Sequence, residues 1–194
     1  FSDWEELNKG FSPVNPQVGA KLTEVDTDND RLTDSDEYKF GTDPVTADTD
    51  NDGYQDGQEI ASGYDPLRPN AKLEKKIEVN LAKQELSYYL GKAKIGTFIV
   101  STGKPGMSTP KGTFKIANKS RRAWSKTYKL WMPYWMGLSG SKVGLHELPE
   151  WPGGKKEGEN HLGRPVSHGC VRLGVGPAKK LYEWAEVGTT VIIK

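Results

Sequence analysis

The sequence predicts a mainly β domain with few helices, a sandwich or distorted barrel, preceded by a small acidic repeat module. Three observations carry this expectation. Charge divides after Pro66: residues 1–66 hold 17 Asp/Glu against 4 Lys/Arg, net −13, whereas residues 67–194 are net +14. In the acidic part, carboxylates recur at an offset of 22 residues. Beyond it, apolar residues alternate with polar ones in strand-length runs separated by Gly and Pro.

A chain of 194 residues accommodates one ordinary domain and an appendage. With 35% hydrophobic residues and a mean hydropathy of −0.70, no run approaches the roughly 18 apolar residues of a membrane span, so a soluble chain is expected. It opens at Phe1 without the basic-then-apolar start of a signal peptide, as a trimmed or mature form would.

Residues 1–25, with Trp4, Leu7 and Phe11 among polar residues and prolines at 13 and 16, carry no chemical signal and read as a docking strap. Residues 26–66 hold the repeat. Asp26, Asp28 and Asp30 align with Asp48, Asp50 and Asp52, Asp34 with Asp56, Glu37 with Glu59, and Gly41 with Gly63. Each copy is a twelve-position loop offering six oxygen ligands, which suits a hard cation taking six to eight oxygens. The ligand sets are Asp26, Asp28, Asp30, the Leu32 carbonyl, Asp34 and Glu37, then Asp48, Asp50, Asp52, the Tyr54 carbonyl, Asp56 and Glu59. Structural Ca2+ is therefore expected. Gly53 supplies the sharp turn in the second loop, where the first has Arg31. A merely solvated acidic linker would not keep this register twice, and without a cation such charge density favours an open chain.

Residues 67–75 read as a linker. In residues 76–194, Ile77, Val79 and Leu81 alternate as in a half-buried strand; Glu85–Leu90, Ile95–Ser101, Gly112–Ala117, Lys142–His146 and Thr189–Ile193 are further strand candidates. Pro177 suits a first helical position, with Ala178, Leu181, Tyr182 and Ala185 on one face. The aromatics Trp124, Tyr128, Trp131, Tyr134 and Trp135 read first as packing and second as a cleft wall.

The lone cysteine excludes an internal disulfide and leaves a free thiol. Cys170 lies in Ser167-His168-Gly169-Cys170-Val171-Arg172, where imidazole and cationic neighbours favour a reactive thiolate. Gly169 permits a tight turn that points the Gly169 and Cys170 N–H groups at a developing oxyanion. A base must be His146, His161 or His168; His161, in a charged Gly-rich loop, is expected to be solvent-exposed.

Ordered blocks over residues 76–194 resemble the L,D-transpeptidase catalytic domain, also called the YkuD-type domain. They are Ser101-Thr102-Gly103, Thr109-Pro110-Lys111-Gly112-Thr113-Phe114, Met132-Pro133-Tyr134-Trp135-Met136, Gly144-Leu145-His146, and Leu162-Gly163-Arg164-Pro165 leading into the cysteine motif. The acidic repeats resemble thrombospondin type 3 repeats, whose loops are similar to EF-hand loops and carry little helix. The first resemblance implies Cys170 as nucleophile, His146 as base, His168 shaping the acyl pocket, Ser167 orienting its neighbours and Arg172 holding a stem-peptide carboxylate. Trp135 and Tyr134 would contact substrate. Arg172 stands where some members have asparagine, and the 24 positions from His146 to Cys170 exceed the family spacing, which places an insertion at 151–159.

The implied activity is peptidoglycan transpeptidation in an extracytoplasmic setting, making 3-3 cross-links between stem peptides. L,D-carboxypeptidase activity and a non-catalytic calcium-dependent wall-binding module are the alternatives. Nucleic acid is not an expected partner, since basic and aromatic residues form no reader motif.

Overall fold

The structure, a computed structural model, describes residues 2–17 and 19–194; Phe1 and Val18, inside the expected strap, lie outside the described residues. The chain divides into two units, one running up to Glu74 and including Leu90–Lys94, the other comprising Lys75–Tyr89 and Ile95–Lys194.

In the first unit a short helix, α1 (Asp3–Asn8), starts at a capping box in which the Ser2 hydroxyl accepts from Glu5 N and the Glu5 carboxylate accepts from Ser2 N. Each acidic repeat is a loop followed by one seven-residue helix, α2 (Asp34–Phe40) and α3 (Asp56–Ser62). The resemblance implied little helix, yet both copies end in one, each closed by a left-handed glycine, Gly41 and Gly63. The interior is unusual in composition. Apart from Ala20 and Leu32, its buried residues are mostly polar, with Asp30, Asp34, Glu37 and Asp56 fully shielded.

The second unit is a closed eight-stranded barrel. Its strands are β1 (Lys75–Asn80), β2 (Glu85–Leu90), β3 (Ala93–Ser101), β4 (Gly112–Ser125), β5 (Leu130–Leu138), β6 (Gly144–Glu147), β7 (Val171–Leu173) and β8 (Thr190–Ile193). The order around the barrel is β1-β2-β3-β7-β6-β5-β4-β8. Closure comes from β8, which pairs in parallel with β1 and antiparallel with β4. The other parallel pair, β6 with β7, sets His146 opposite Arg172. Inward residues of the strands, among them Ile77, Val79, Leu86, Val100, Ile116, Leu145 and Val191, form one core. The helix α4 (Pro177–Trp184) joins that core through Ala178 and Leu181. Each large aliphatic buried this way contributes about 2 kcal/mol.

Of the two β architectures expected, the barrel is the one formed. β4 runs eight residues past Ala117, and β5 occupies the aromatic segment that the alternation rule passed over. The reason is local: Pro133 and the left-handed Tyr134 (φ 53°) interrupt β5, so its burial follows no period of two.

Candidate functional site

Cys170 sits just before β7 (Val171–Leu173) in a loop clamped by the Ser101–Gly103 and Thr109 segments upstream of it. Ser167 N donates to Thr102 O (2.9 Å) and Lys104 N to Ser167 O (3.0 Å). Thr109 Oγ1 accepts from Gly103 N and donates to Gly169 O, both at 2.8 Å. Inside the loop, Ser167 Oγ donates to Cys170 O (2.6 Å) and accepts from Gly169 N (3.1 Å). Gly169 holds φ +114°, and a Cβ there would press on Val143 at 3.1 Å, so the turn requires glycine.

The thiol opens onto a cleft of about 400 Å³ whose walls include His146, His168, Ser167, Arg172, Trp135 and Tyr128. His146 is 3% exposed, and its Nδ1 lies 2.5 Å from the Glu147 carbonyl. A carbonyl only accepts, so Nδ1 carries the proton and Nε2 is left with its lone pair. Burial lowers the His146 pKa to about 4, with Arg172 adding to the effect and the Glu147 carbonyl opposing it. Burial likewise pushes the Cys170 thiol up, against a hydrogen bond with the Gly144 backbone and the charge of Arg172. The resting pair is thus thiol and neutral imidazole. His168 stacks on Tyr128, ring centroids 4.7 Å apart, and is held below the usual imidazole range by burial, Lys104 and Arg172.

Arg172 is 7% exposed, its Nε has no hydrogen-bond partner, and its Nη1 faces Glu157 Oε1 at 3.8 Å. Glu157 belongs to a hairpin over residues 150–157, joined by the Glu150–Lys156 bridge and by Trp151 N donating to Lys155 O at 2.9 Å. Lys156 ties that hairpin to Glu147 (2.5 Å) and pairs across it with Glu150 (3.4 Å).

In the acidic unit, ligand oxygens of Asp26, Asp28 and Asp30 converge within 4.8 Å of one another, and those of Asp48, Asp50 and Asp52 do the same. One carboxylate oxygen on each of Asp28, Glu37, Asp50 and Glu59 is buried without a partner. Burial and then the neighbouring aspartates raise Glu37 to about 8 and Glu59 to about 7. Orphaned oxygens facing like charge fit a bound divalent cation. Asp34 is differently engaged: it accepts from Thr27 N (3.0 Å), Thr27 Oγ1 (2.9 Å) and the Ser12 hydroxyl. Asp56 accepts from Thr49 N (2.9 Å) and Oγ1 (2.6 Å), so both residues brace their loops. Arg31 adopts φ 81° where its counterpart Gly53 has φ 99°.

A family profile of the L,D-transpeptidase catalytic domain matches residues 74–193. This chain belongs to the L,D-transpeptidase family. A profile of the bacterial TSP3 repeat matches residues 26–47 and 48–69. The Bacillus subtilis (strain 168) protein YciB, whose name places it among L,D-transpeptidases, is 33% identical over 125 residues, covering 60% of this chain and 64% of that protein. The crystal structure of an L,D-transpeptidase (Yku) from Stackebrandtia nassauensis is 30% identical, covers 81% of this chain and 73% of its own, and superposes with a TM-score of 0.54. An L,D-transpeptidase from Mycobacterium smegmatis shares the fold at 20% identity and a TM-score of 0.56, over 64% of this chain and 60% of that one. The matched region therefore spans under two thirds of YciB and of the mycobacterial chain.

In this member of the L,D-transpeptidase family the cleft gathers Cys170, His146, His168, Ser167, Arg172 and Trp135 from the expected set. Tyr134 is not among them. It turns away to pack on Tyr182 at 5.6 Å and on the barrel core, because its left-handed backbone reverses the strand's alternation. Gly169 also differs from expectation, since its N–H is taken by Ser167 Oγ and does not point free at an oxyanion. His161 is half-buried at the end of a short 3-10 turn and does not line the cleft. Tyr128 lines the cleft, the second of the two readings given to the aromatic cluster; Trp151 and Glu157 are cleft residues that the sequence did not assign there, and their only hint was the long spacing between His146 and Cys170.

Proposed function

We propose that this protein is a peptidoglycan L,D-transpeptidase that forms 3-3 cross-links through a Cys170 thioester. One observation carries the reading: a free thiol and a buried imidazole whose Nδ1 is tied down share a cleft with a buried, under-partnered guanidinium. His146 Nε2 takes the thiol proton as sulfur attacks the carbonyl of the third stem residue. The C–N bond then breaks, the proton passes to the departing D-alanine nitrogen, and a thioester remains. An amine on another stem's third residue attacks that thioester, gives its proton to His146, and restores the thiol. Trp135 packs near His146, ring centroids 6.0 Å apart, and shields the reaction from water.

The acidic repeats serve as Ca2+ sites held by Asp26, Asp28, Asp30, the Leu32 carbonyl and Glu37, and by Asp48, Asp50, Asp52, the Tyr54 carbonyl and Glu59. Bound calcium would supply the positive charge that this interior of carboxylates lacks. Both activities belong to an extracytoplasmic setting, where peptidoglycan lies and calcium is plentiful.

Intact-mass measurement of the protein and its Cys170→Ala variant with a disaccharide tetrapeptide tests the reading. A Cys170-dependent acyl adduct with D-alanine release, followed by cross-linked dimer, is the expected result. Tripeptide without dimer would make the enzyme a carboxypeptidase, and no adduct at all would overturn the acyl-transfer reading.

A further inference from the structure

The two acidic repeats keep their loop carboxylates in register but differ in the surface around them. Beside Asp52 and Glu59 the second repeat opens a cavity of about 240 Å³ whose outer walls are Tyr54, Gln58, Ser62, Tyr64 and Asn70. Twenty-two residues earlier, the first four of these positions are Leu32, Asp36, Phe40 and Thr42. Leu32 and Thr42 are buried, 8% and 6% exposed, whereas Tyr54 and Tyr64 stand 55% and 38% exposed. The loop itself requires neither ring: position 54 serves a cation through its backbone carbonyl, and Tyr64 lies beyond the twelve-position loop. The far wall is fixed before anything binds. Asp65 N donates to Ala71 O (2.8 Å), Leu73 N donates to Gly63 O (2.9 Å), and Tyr64 forms a β-bridge with Lys72, so one short ribbon carries both Tyr64 and Asn70.

The lining excludes most classes of ligand. It contains two carboxylates and no Lys or Arg, so it repels anions; Lys72, 5.9 Å from the Tyr64 ring centroid, stands outside it. It contains no aliphatic side chain to receive a lipid tail or an apolar peptide. It does offer two aromatic faces, and amide and hydroxyl groups on Gln58, Ser62 and Asn70 that make no hydrogen bond to other described residues. Aromatic faces take the C–H face of a pyranose ring, while amides and hydroxyls pair with its hydroxyl and acetamido groups.

We propose that this cavity binds a neutral saccharide, one N-acetylhexosamine unit of a wall glycan, stacked on Tyr54 and Tyr64 and hydrogen-bonded by Gln58, Ser62 and Asn70. At about 240 Å³ it lies at the small end of ligand sites and takes a single sugar ring. The site goes beyond acyl transfer, since it gives the acidic unit a ligand of its own that is not the stem peptide. It belongs to the second repeat alone, because the first carries neither ring.

Saturation-transfer NMR on the full chain in excess calcium, titrated with N,N′-diacetylchitobiose, measures the binding. The ring resonances of Tyr54 and Tyr64, assigned from single substitutions, report where the sugar sits. The disaccharide should bind saturably and shift both rings. The paired substitution Tyr54→Leu and Tyr64→Thr, which gives the second repeat the residues that the first already carries, should weaken binding at least about tenfold. No saturable binding, or binding that leaves both rings unmoved, overturns the proposal on the unmodified chain, whatever the fate of the variant. Unchanged affinity in the paired variant overturns it too, and rings that answer to ethylamine but not to the disaccharide would make the cavity a site for organic cations instead. The probe carries no peptide, so each of these outcomes is independent of whether Cys170 forms an acyl adduct.

Discussion

Desolvation governs the reacting pair at the scale of single residues. His146 sits near pKa 4 and the Cys170 thiol above its ordinary range, so no thiolate–imidazolium pair forms at rest. Alkylation of Cys170 by iodoacetamide should therefore be slow at pH 7 and climb through the alkaline range; a rate plateau between pH 5 and 8 would mean that an ion pair exists. The same burial ties stability to pH. Because the folded His146 pKa lies below the usual 6.5, the unfolded chain binds the extra proton first, and stability falls as pH drops from about 6.5 toward about 4. Thermal melts should show this slope, and His146→Gln should flatten it. In the first acidic loop, Arg31 holds a backbone conformation that costs a non-glycine residue about 1 kcal/mol or more. The hydrogen bond that its backbone N–H donates to Asp26 Oδ2 (2.9 Å) survives substitution. Arg31→Gly should stabilise the acidic unit by about 1 kcal/mol, measured as a raised midpoint in denaturant.

Among the elements, the 150–157 hairpin carries charge to the rim of the cleft. Lys156 neutralises Glu147, whose side chain is only 4% exposed and whose carbonyl orients His146. Lys156→Met should cost about 3 kcal/mol by leaving a buried carboxylate unpaired, and should slow acylation as the hairpin loosens. Unchanged urea midpoints would show that the hairpin is not anchored this way. In the acidic unit, Asp34 and Asp56 open their helices and brace the preceding loops at once, which explains why both fall on the same position of the 22-residue period.

For the whole molecule, the two units differ in what holds them together. The barrel is held by apolar burial, whereas the first unit encloses carboxylates from a segment, residues 1–66, of net charge −13 and has little else to bury. Calorimetry in excess chelator should show the acidic unit melting early or already open, with the barrel transition retained. Added calcium should raise only the first transition, by mass action on the folded form. A single transition insensitive to calcium would refute calcium-coupled folding.

Much of this was legible from the chain alone because it repeats over short intervals. Alternation marked most of the barrel strands, the 22-residue register marked the acidic loops, and the contiguous blocks around Cys170 marked the cysteine loop and the family. Other features belong only to the fold. The barrel closes by pairing β8 with β1, more than a hundred residues earlier in the chain. His146 becomes a buried imidazole of lowered pKa, Tyr134 leaves the cleft and Glu157 enters it because of strand register, a left-handed backbone and the 150–157 hairpin. Local patterns report which residues prefer a strand, a turn or a cation. Desolvation and charge pairing are sums over residues far apart in sequence, and they acquire values only once the barrel has brought those residues together.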